Sequence, residues 1–228
     1  MTNRDGVTRR RVLGLSLAAG EADPDAEAMA SELGIEFAEA DLSVLLDVFE
    51  DSIAPALSTD PDRLAVGNAL SRFRAASAYF AANSRDGLVC GTANRTERLL
   101  GYFTKHGDGA ADLFPLGHCW KTEVRALARL VGVPGHVVEK PPTAGFWPGQ
   151  TDRDDLGAPY GFVDVALYLL VEADLGVRGT ADELGVDPDD VERFARRHLD
   201  TRHKRRRPPT PADDPRPPQH FHEFELDR

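Results

Sequence analysis

The segment Gly91–Val124, GTANRTERLLGYFTKHGDGAADLFPLGHCWKTEV, concentrates residue types that handle phosphates and carboxylates. Thr92 closes an apolar run and Asn94 opens a helical pattern. A hydroxyl and free backbone N–H groups therefore meet at a junction suited to phosphate or purine contacts. Glu97 falls one turn into that helix, where a carboxylate can reach a metal ion; its ordinary role there is to favour the helix dipole. Gly101, Gly107 and Gly109 interrupt regular structure and are expected to let backbone approach a ligand. Lys105, Asp108 and Asp112 are charges within that glycine-rich stretch, although Lys105 and Asp112 could also form a surface ion pair. Lys121 begins the next helix. A cation there opposes the dipole, a mild conflict that favours a phosphate role.

The elements that must position these side chains follow from periodicity. Val12–Leu17 is apolar and predicts a short buried strand, and Ile35–Ala38 predicts a second. Between them Asp23–Leu33 has helical spacing, with Asp23 or Asp25 as N-cap and Gly34 as the stop. Strand, helix and strand at this spacing make a βαβ unit, so the sheet is expected to be parallel. Leu42–Leu57 predicts a helix broken before Pro55, and a long helix runs from about Asp60 to Ala82. Leu88–Thr92, LVCGT, predicts the next strand. Lys121–Leu130, Phe162–Ala173 and Pro188–His198 predict further helices. The order suits a doubly wound α/β fold, a parallel sheet flanked by helices with ligands at the carboxyl ends of its strands. One domain over residues 1–204 and a Pro/Arg/Asp-rich tail over 205–228 are expected.

Composition narrows the function classes. The formal net charge of −11 over 228 residues argues against a general nucleic-acid binder. The two helical patterns around Gly185 resemble a helix-turn-helix, but TADELGVDPDDVERF is too acidic for DNA. No run approaches a membrane span, and no leader follows the basic start at Met1–Arg11, so a cytoplasmic protein is expected. Only Lys105, Lys121, Lys140 and Lys204 are lysines. An acidic surface with few lysines suits high salt; an Arg- and Ala-favouring genome is the plainer explanation. Cys90 and Cys119 form no CxxC pair and are expected to be buried free thiols. His220 and His222 beside Glu223 invite a metal reading, a weak one in a tail expected to have little structure of its own.

Several separated motifs, in order, resemble the ammonia-dependent NAD synthetases of the ATP-pyrophosphatase group. They are the segment above, GNALSRFRAASAY (Gly67–Tyr79), EKPPTAGFWPGQTDRDDLGAPYGFVD (Glu139–Asp164) and TRHKRRRPPTP (Thr201–Pro211). The resemblance implies an adenine nucleotide alpha hydrolase-like fold. It implies a ligase in which ATP adenylylates deamido-NAD, pyrophosphate leaves, and ammonia attacks to give NAD. It further implies that Thr92, Lys121 and Thr143 contact ATP and that Glu97 helps bind Mg²⁺. Arg72, Lys105, Asp112, His203 and Lys204 would contact deamido-NAD. A homodimer with Arg72 near its interface is also implied.

The family's pyrophosphate loop, SGGxDS, does not occur in these residues. The resemblance places Leu13–Leu17 on the family's second strand, so the first strand and its loop, about forty residues, are expected to be missing ahead of it. Without that cradle one carboxylate should hold Mg²⁺ weakly, and no measurable turnover is expected from the 228 residues as they stand. The alternative is a non-catalytic paralogue or fragment that binds ligand or pairs with a complete synthetase.

Overall fold

The computed structural model describes residues 12–20 and 23–208. The basic start, the tail after residue 208 and the His220–His222–Glu223 group lie outside the described residues.

β1 (Leu13–Ala18) and β2 (Glu36–Asp41) pair in parallel, with Leu13 opposite Glu36 and Ala18 opposite Asp41. The crossover is α1 (Pro24–Leu33). Asp23 caps it by accepting from Asp25 N, and Gly34 ends it at φ 61°, a left-handed conformation that glycine adopts without steric cost. The βαβ unit thus follows its local signals.

The next segment departs from expectation. No break precedes Pro55. Helix continues through α2 (Ser43–Val48), a π-helical stretch over Phe49–Ile53, and α3 (Ala54–Ala56). The wide turn ahead of Pro55 accommodates a residue that has no N–H to contribute. α4 (Arg63–Ser84) follows, capped by Asp62.

The expected strand LVCGT forms no ladder. Cys90 makes a single parallel bridge to Leu113; Gly91 N donates to Leu113 O, and Val89 N donates to Asp112 Oδ2. The segment is extended, but its neighbour among the described residues is only this short stretch. Cys90 is exposed and Cys119 only partly buried, both as free thiols, against the expected burial.

The remaining chain is helical: α5 (Arg95–Leu100), α6 (Lys121–Leu130), α7 (Gly135–Glu139), α8 (Asp152–Leu156) and α9 (Tyr160–Leu167). A π-helical turn over Tyr168–Glu172, α10 (Gly176–Leu184), α11 (Pro188–Asp200) and α12 (Arg202–Arg205) complete it. The core lies in this half. Leu100, Val163 and Leu167 are each 0% exposed and pack with Leu156, Ala166 and Phe194. In contrast every residue of β1 is half-exposed. Ala18 O accepts from Leu42 N on the β2 side, so strand alternation turns Leu17 O to the other edge. There Arg74 Nε reaches it at 2.8 Å from α4. The fold is therefore α/β with helices flanking parallel strands, and its regular sheet has two strands among the described residues. No helix there is long and apolar enough to cross a membrane.

Candidate functional site

α5 is the hub. Its N-terminus is a capping box: Asn94 Oδ1 accepts from Glu97 N at 3.0 Å, and Glu97 Oε2 accepts from Asn94 N at 3.1 Å. The other oxygen of Glu97 meets Lys121 Nζ at 2.7 Å, with both side chains less than one-fifth exposed. Lys121 also lies 5.3 Å from the ring centroid of Tyr160. Thus the residue read for Mg²⁺ and the lysine read for ATP are partners. Among the described residues no group of three or more His, Cys, Asp or Glu is placed to hold a metal. Glu97 has both oxygens engaged, so this donor set does not by itself fit Mg²⁺, and no step below is routed through that ion.

The C-terminus of α5 is covered by the end of the described chain. Lys204 Nζ donates to Gly101 O at 2.8 Å and Phe103 O at 2.7 Å. Arg205, assigned to the tail by the sequence, closes α12 and donates to Leu99 O at 2.9 Å and also to His198 O. His198 and Thr201 bond Leu99 O and Leu100 O. Cations at the negative end of a helix satisfy carbonyls that the helix leaves unpaired. Burial, with Arg197 nearby, lowers the Lys204 pKa from its ordinary value. Beside this cap lies a cavity of about 200 Å³ lined by Ala93, Arg98, Phe103, Gly109, Phe114, Lys204 and Arg205. Three cations and two aromatic rings suit a planar ring bearing an acid. Arg98, 5.1 Å from the Phe114 ring, and Arg205 were not singled out in the sequence; the two phenylalanines flanking the glycine-rich stretch were the available signal.

The glycine-rich stretch is fastened to α4. Asn68, Ser71 and Arg72 share one helical face, at i, i+3 and i+4. Thr104 Oγ1 donates to Asn68 Oδ1 at 2.7 Å, Ser71 Oγ to Asp108 Oδ1 at 2.8 Å, and Arg72 Nε to Lys105 O at 3.3 Å. The glycines serve this packing, and Gly109 also lines the cavity beside the α5 cap. A Cβ on Gly107 would lie 2.3 Å from Ser71 Oγ, one on Gly109 2.3 Å from the Phe103 ring, and one on Gly101 2.3 Å from Thr201 Cβ.

The structure therefore joins Glu97 with Lys121, and Arg72 with Lys105. Asp112 binds the backbone at Val89. Thr92 and His203 are exposed, and Thr143 is exposed in the 141–150 loop, where its hydroxyl accepts from Gly145 N. None of these four hydrogen-bonds another residue predicted for the site among the described contacts. Lys105 and Asp112 form no ion pair there. A second cavity, about 220 Å³, opens at the carboxyl end of β1 beside Arg74, Gly67 and Phe146. Burial lowers the pKa of the Arg74 guanidinium from its ordinary value.

The NAD synthase family profile matches residues 5–208. An NH(3)-dependent NAD(+) synthetase from Pyrococcus furiosus is 43% identical over 190 residues, 83% of this chain and 72% of the relative. One from Halobacterium salinarum is 43% identical over 191 residues, 82% of this chain and 69% of the relative. Among solved structures, an NMN synthetase from Francisella tularensis is 30% identical at a TM-score of 0.73, covering 89% of this chain and 79% of that one. An NH3-dependent NAD synthetase from Campylobacter jejuni, at 23% identity and a TM-score of 0.69 over 87% and 76% of the two chains, shares the fold.

Proposed function

Because the chain belongs to the NAD synthase family, we propose that it binds ATP and deamido-NAD for ammonia-dependent amidation of the nicotinate carboxylate. A carboxylate oxygen attacks the α-phosphorus of ATP, the bond to pyrophosphate breaks, and ammonia then displaces AMP from the acyl carbon and loses a proton. Such chemistry needs phosphate charge neutralised and the acid oriented more than it needs a protein nucleophile.

One observation carries the reading: the two ends of α5 hold the two kinds of group required. Lys121 stands at Glu97 near its start; Lys204, Arg98 and Arg205 line an aromatic-walled cavity that reaches from Ala93, ahead of α5, to the cap at its end. Six residues of helix span about 9 Å, short enough for one pair of reacting ligands. Thr92, exposed just before α5, and Thr143, in the loop that ends at α8, would meet ATP. Lys204, His203, Arg72, Lys105 and Asp112 would meet deamido-NAD. A homodimer would cover the α4 stripe of Arg72, Ala76 and Phe80, all exposed at i, i+4 and i+8.

The test separates binding from turnover, since SGGxDS does not occur in these residues. Calorimetric titration should show ATP and deamido-NAD each binding, and Lys121→Met should weaken ATP alone. Binding of neither ligand overturns the reading. NAD formation with Mg²⁺ and ammonium reports whether these residues suffice for turnover. Nicotinate mononucleotide is the control acid, because one relative is an NMN synthetase.

A further inference from the structure

We propose that Asp164 is a positioning residue that holds Lys121 at Glu97, acting through Thr96 and Thr122; its link to ATP rests on the function proposed above. Asp164 lies on α9 and is 5% exposed, and Thr96 is 0% exposed. Oδ1 of Asp164 accepts from Thr96 Oγ1 at 2.6 Å. Oδ2 accepts from Thr122 N at 2.9 Å and from Thr122 Oγ1 at 2.8 Å. Thr96 Oγ1 in turn accepts from Lys121 N at 3.0 Å. The hydroxyl proton is therefore committed to Asp164, and the chain of bonds runs in one direction from Lys121 N–H through Thr96 to the carboxylate.

The placement is specific. Thr96 immediately precedes Glu97, and Thr122 immediately follows Lys121, so one carboxylate grips the neighbour of each member of the pair. Among the described residues Asp164 has no cationic partner within ion-pair distance. Its charge is offset by three donors and by the positive end of α6. A buried carboxylate held this way tolerates little displacement, since loosening any donor leaves charge unsatisfied. The relative position of α5 and α6 is thereby set at the residues that carry the Glu97–Lys121 contact. A cap that merely stabilised α6 would need Thr122 alone; the additional grip on Thr96 ties the cap to the Glu97 side of the pair.

Two measurements test this on the full chain. First, amine-labelling kinetics with peptide mapping read Lys121 against Lys105 and Lys140, which is practical because the chain has four lysines. Thr96→Val and Asp164→Asn should raise the Lys121 rate about fivefold or more, and Thr96→Ser should restore it. Second, ATP affinity should fall about tenfold in Thr96→Val and recover in Thr96→Ser. Thr96→Val should add nothing further on a Lys121→Met background. Thermal unfolding identifies the folded variants, and if Asp164→Asn does not fold, the Thr96 pair decides. Unchanged labelling in Thr96→Val, or full additivity with Lys121→Met, overturns the proposal. If labelling changes but Lys121→Met binds ATP like the original chain, the positioning role stands and the ATP role of Lys121 is what fails.

Discussion

Lys121 Nζ lies 2.7 Å from Glu97 Oε1, although the two residues sit in the first turns of different helices, twenty-four positions apart. The contact is mostly shielded from solvent, so each charge depends on the other. Removing one partner leaves the remaining charge poorly solvated, at about 1–3 kcal/mol. Glu97→Gln and Lys121→Met should each lower urea-unfolding stability by that order. The double variant should lose less than the sum, and strict additivity would show that the pair is not coupled.

The Lys204 ammonium serves two carbonyls at once, Gly101 O and Phe103 O. Lys204→Met should leave both short of a donor and lower stability by about 1–3 kcal/mol. Hydrogen exchange should show the loss first at α5 and the 101–103 turn. Unchanged protection there would mean that water replaces the ammonium without cost.

Glycine substitutions distinguish packing from backbone strain. Gly101 combines a φ of 59° with a Cβ position 2.3 Å from Thr201 Cβ. Gly132 has a φ of 85° but nothing within 4 Å. Gly132→Ala should therefore cost about 1–2 kcal/mol from conformation alone. Gly101→Ala should cost more, because it also pushes apart α5 and the Thr201 turn. Equal melting shifts for the two variants would remove the close approach from the account.

Alkaline pH should destabilise the fold through two tyrosines. Burial raises the phenol pKa of Tyr160, reinforced by its bond to Asp152; burial and bonds to Asp155 and Asp152 do the same to Tyr102. The unfolded chain ionises these phenols near pH 10 while the folded chain keeps them protonated. Above that pH the unfolded state binds fewer protons, so stability is full below about pH 10 and falls above it. Each phenol contributes at most about 1.4 kcal/mol per pH unit, and solvent screening of these partly buried rings lowers that figure. Phenolate absorbance should rise in two stages, the second coinciding with unfolding, and Tyr160→Phe should flatten the stability slope. A single stage near pH 10 in folded protein would refute the assignment.

Salt should stabilise the molecule. At a net charge of −11 the compact state carries self-repulsion that ions screen. The melting temperature should climb steeply up to about 1 M KCl, where the Debye length is about 3 Å, and more gently beyond. A melting temperature independent of KCl would leave the acidic composition without a role in stability.

Much of the local architecture was legible because its causes are local. Asp23 ahead of α1 and Gly34 behind it act within a few residues and sit where the chain signals them; the Asn94–Glu97 capping box, found in the structure, is equally local. The family could be read for a related reason: its motifs are residue types at fixed separations. Other features depend on what lies opposite. LVCGT has strand composition, yet a ladder needs neighbours, and its described partner is one short stretch. Glycines can mean ligand approach or close packing, and only the fold shows Ser71, Phe103 and Thr201 standing where side chains would go.

The sequence by itself determined α1, α4, α6 and α11, the parallel βαβ unit, the acidic charge and the motif order, because periodicity, capping and composition are properties of a line. Only tertiary structure decided that Glu97 pairs with Lys121, that Lys204 and Arg205 cover the end of α5, and that Asp164 reaches sixty-eight positions back to Thr96. Those contacts bring together groups far apart in the chain, and their energies depend on burial and direction that no spacing records.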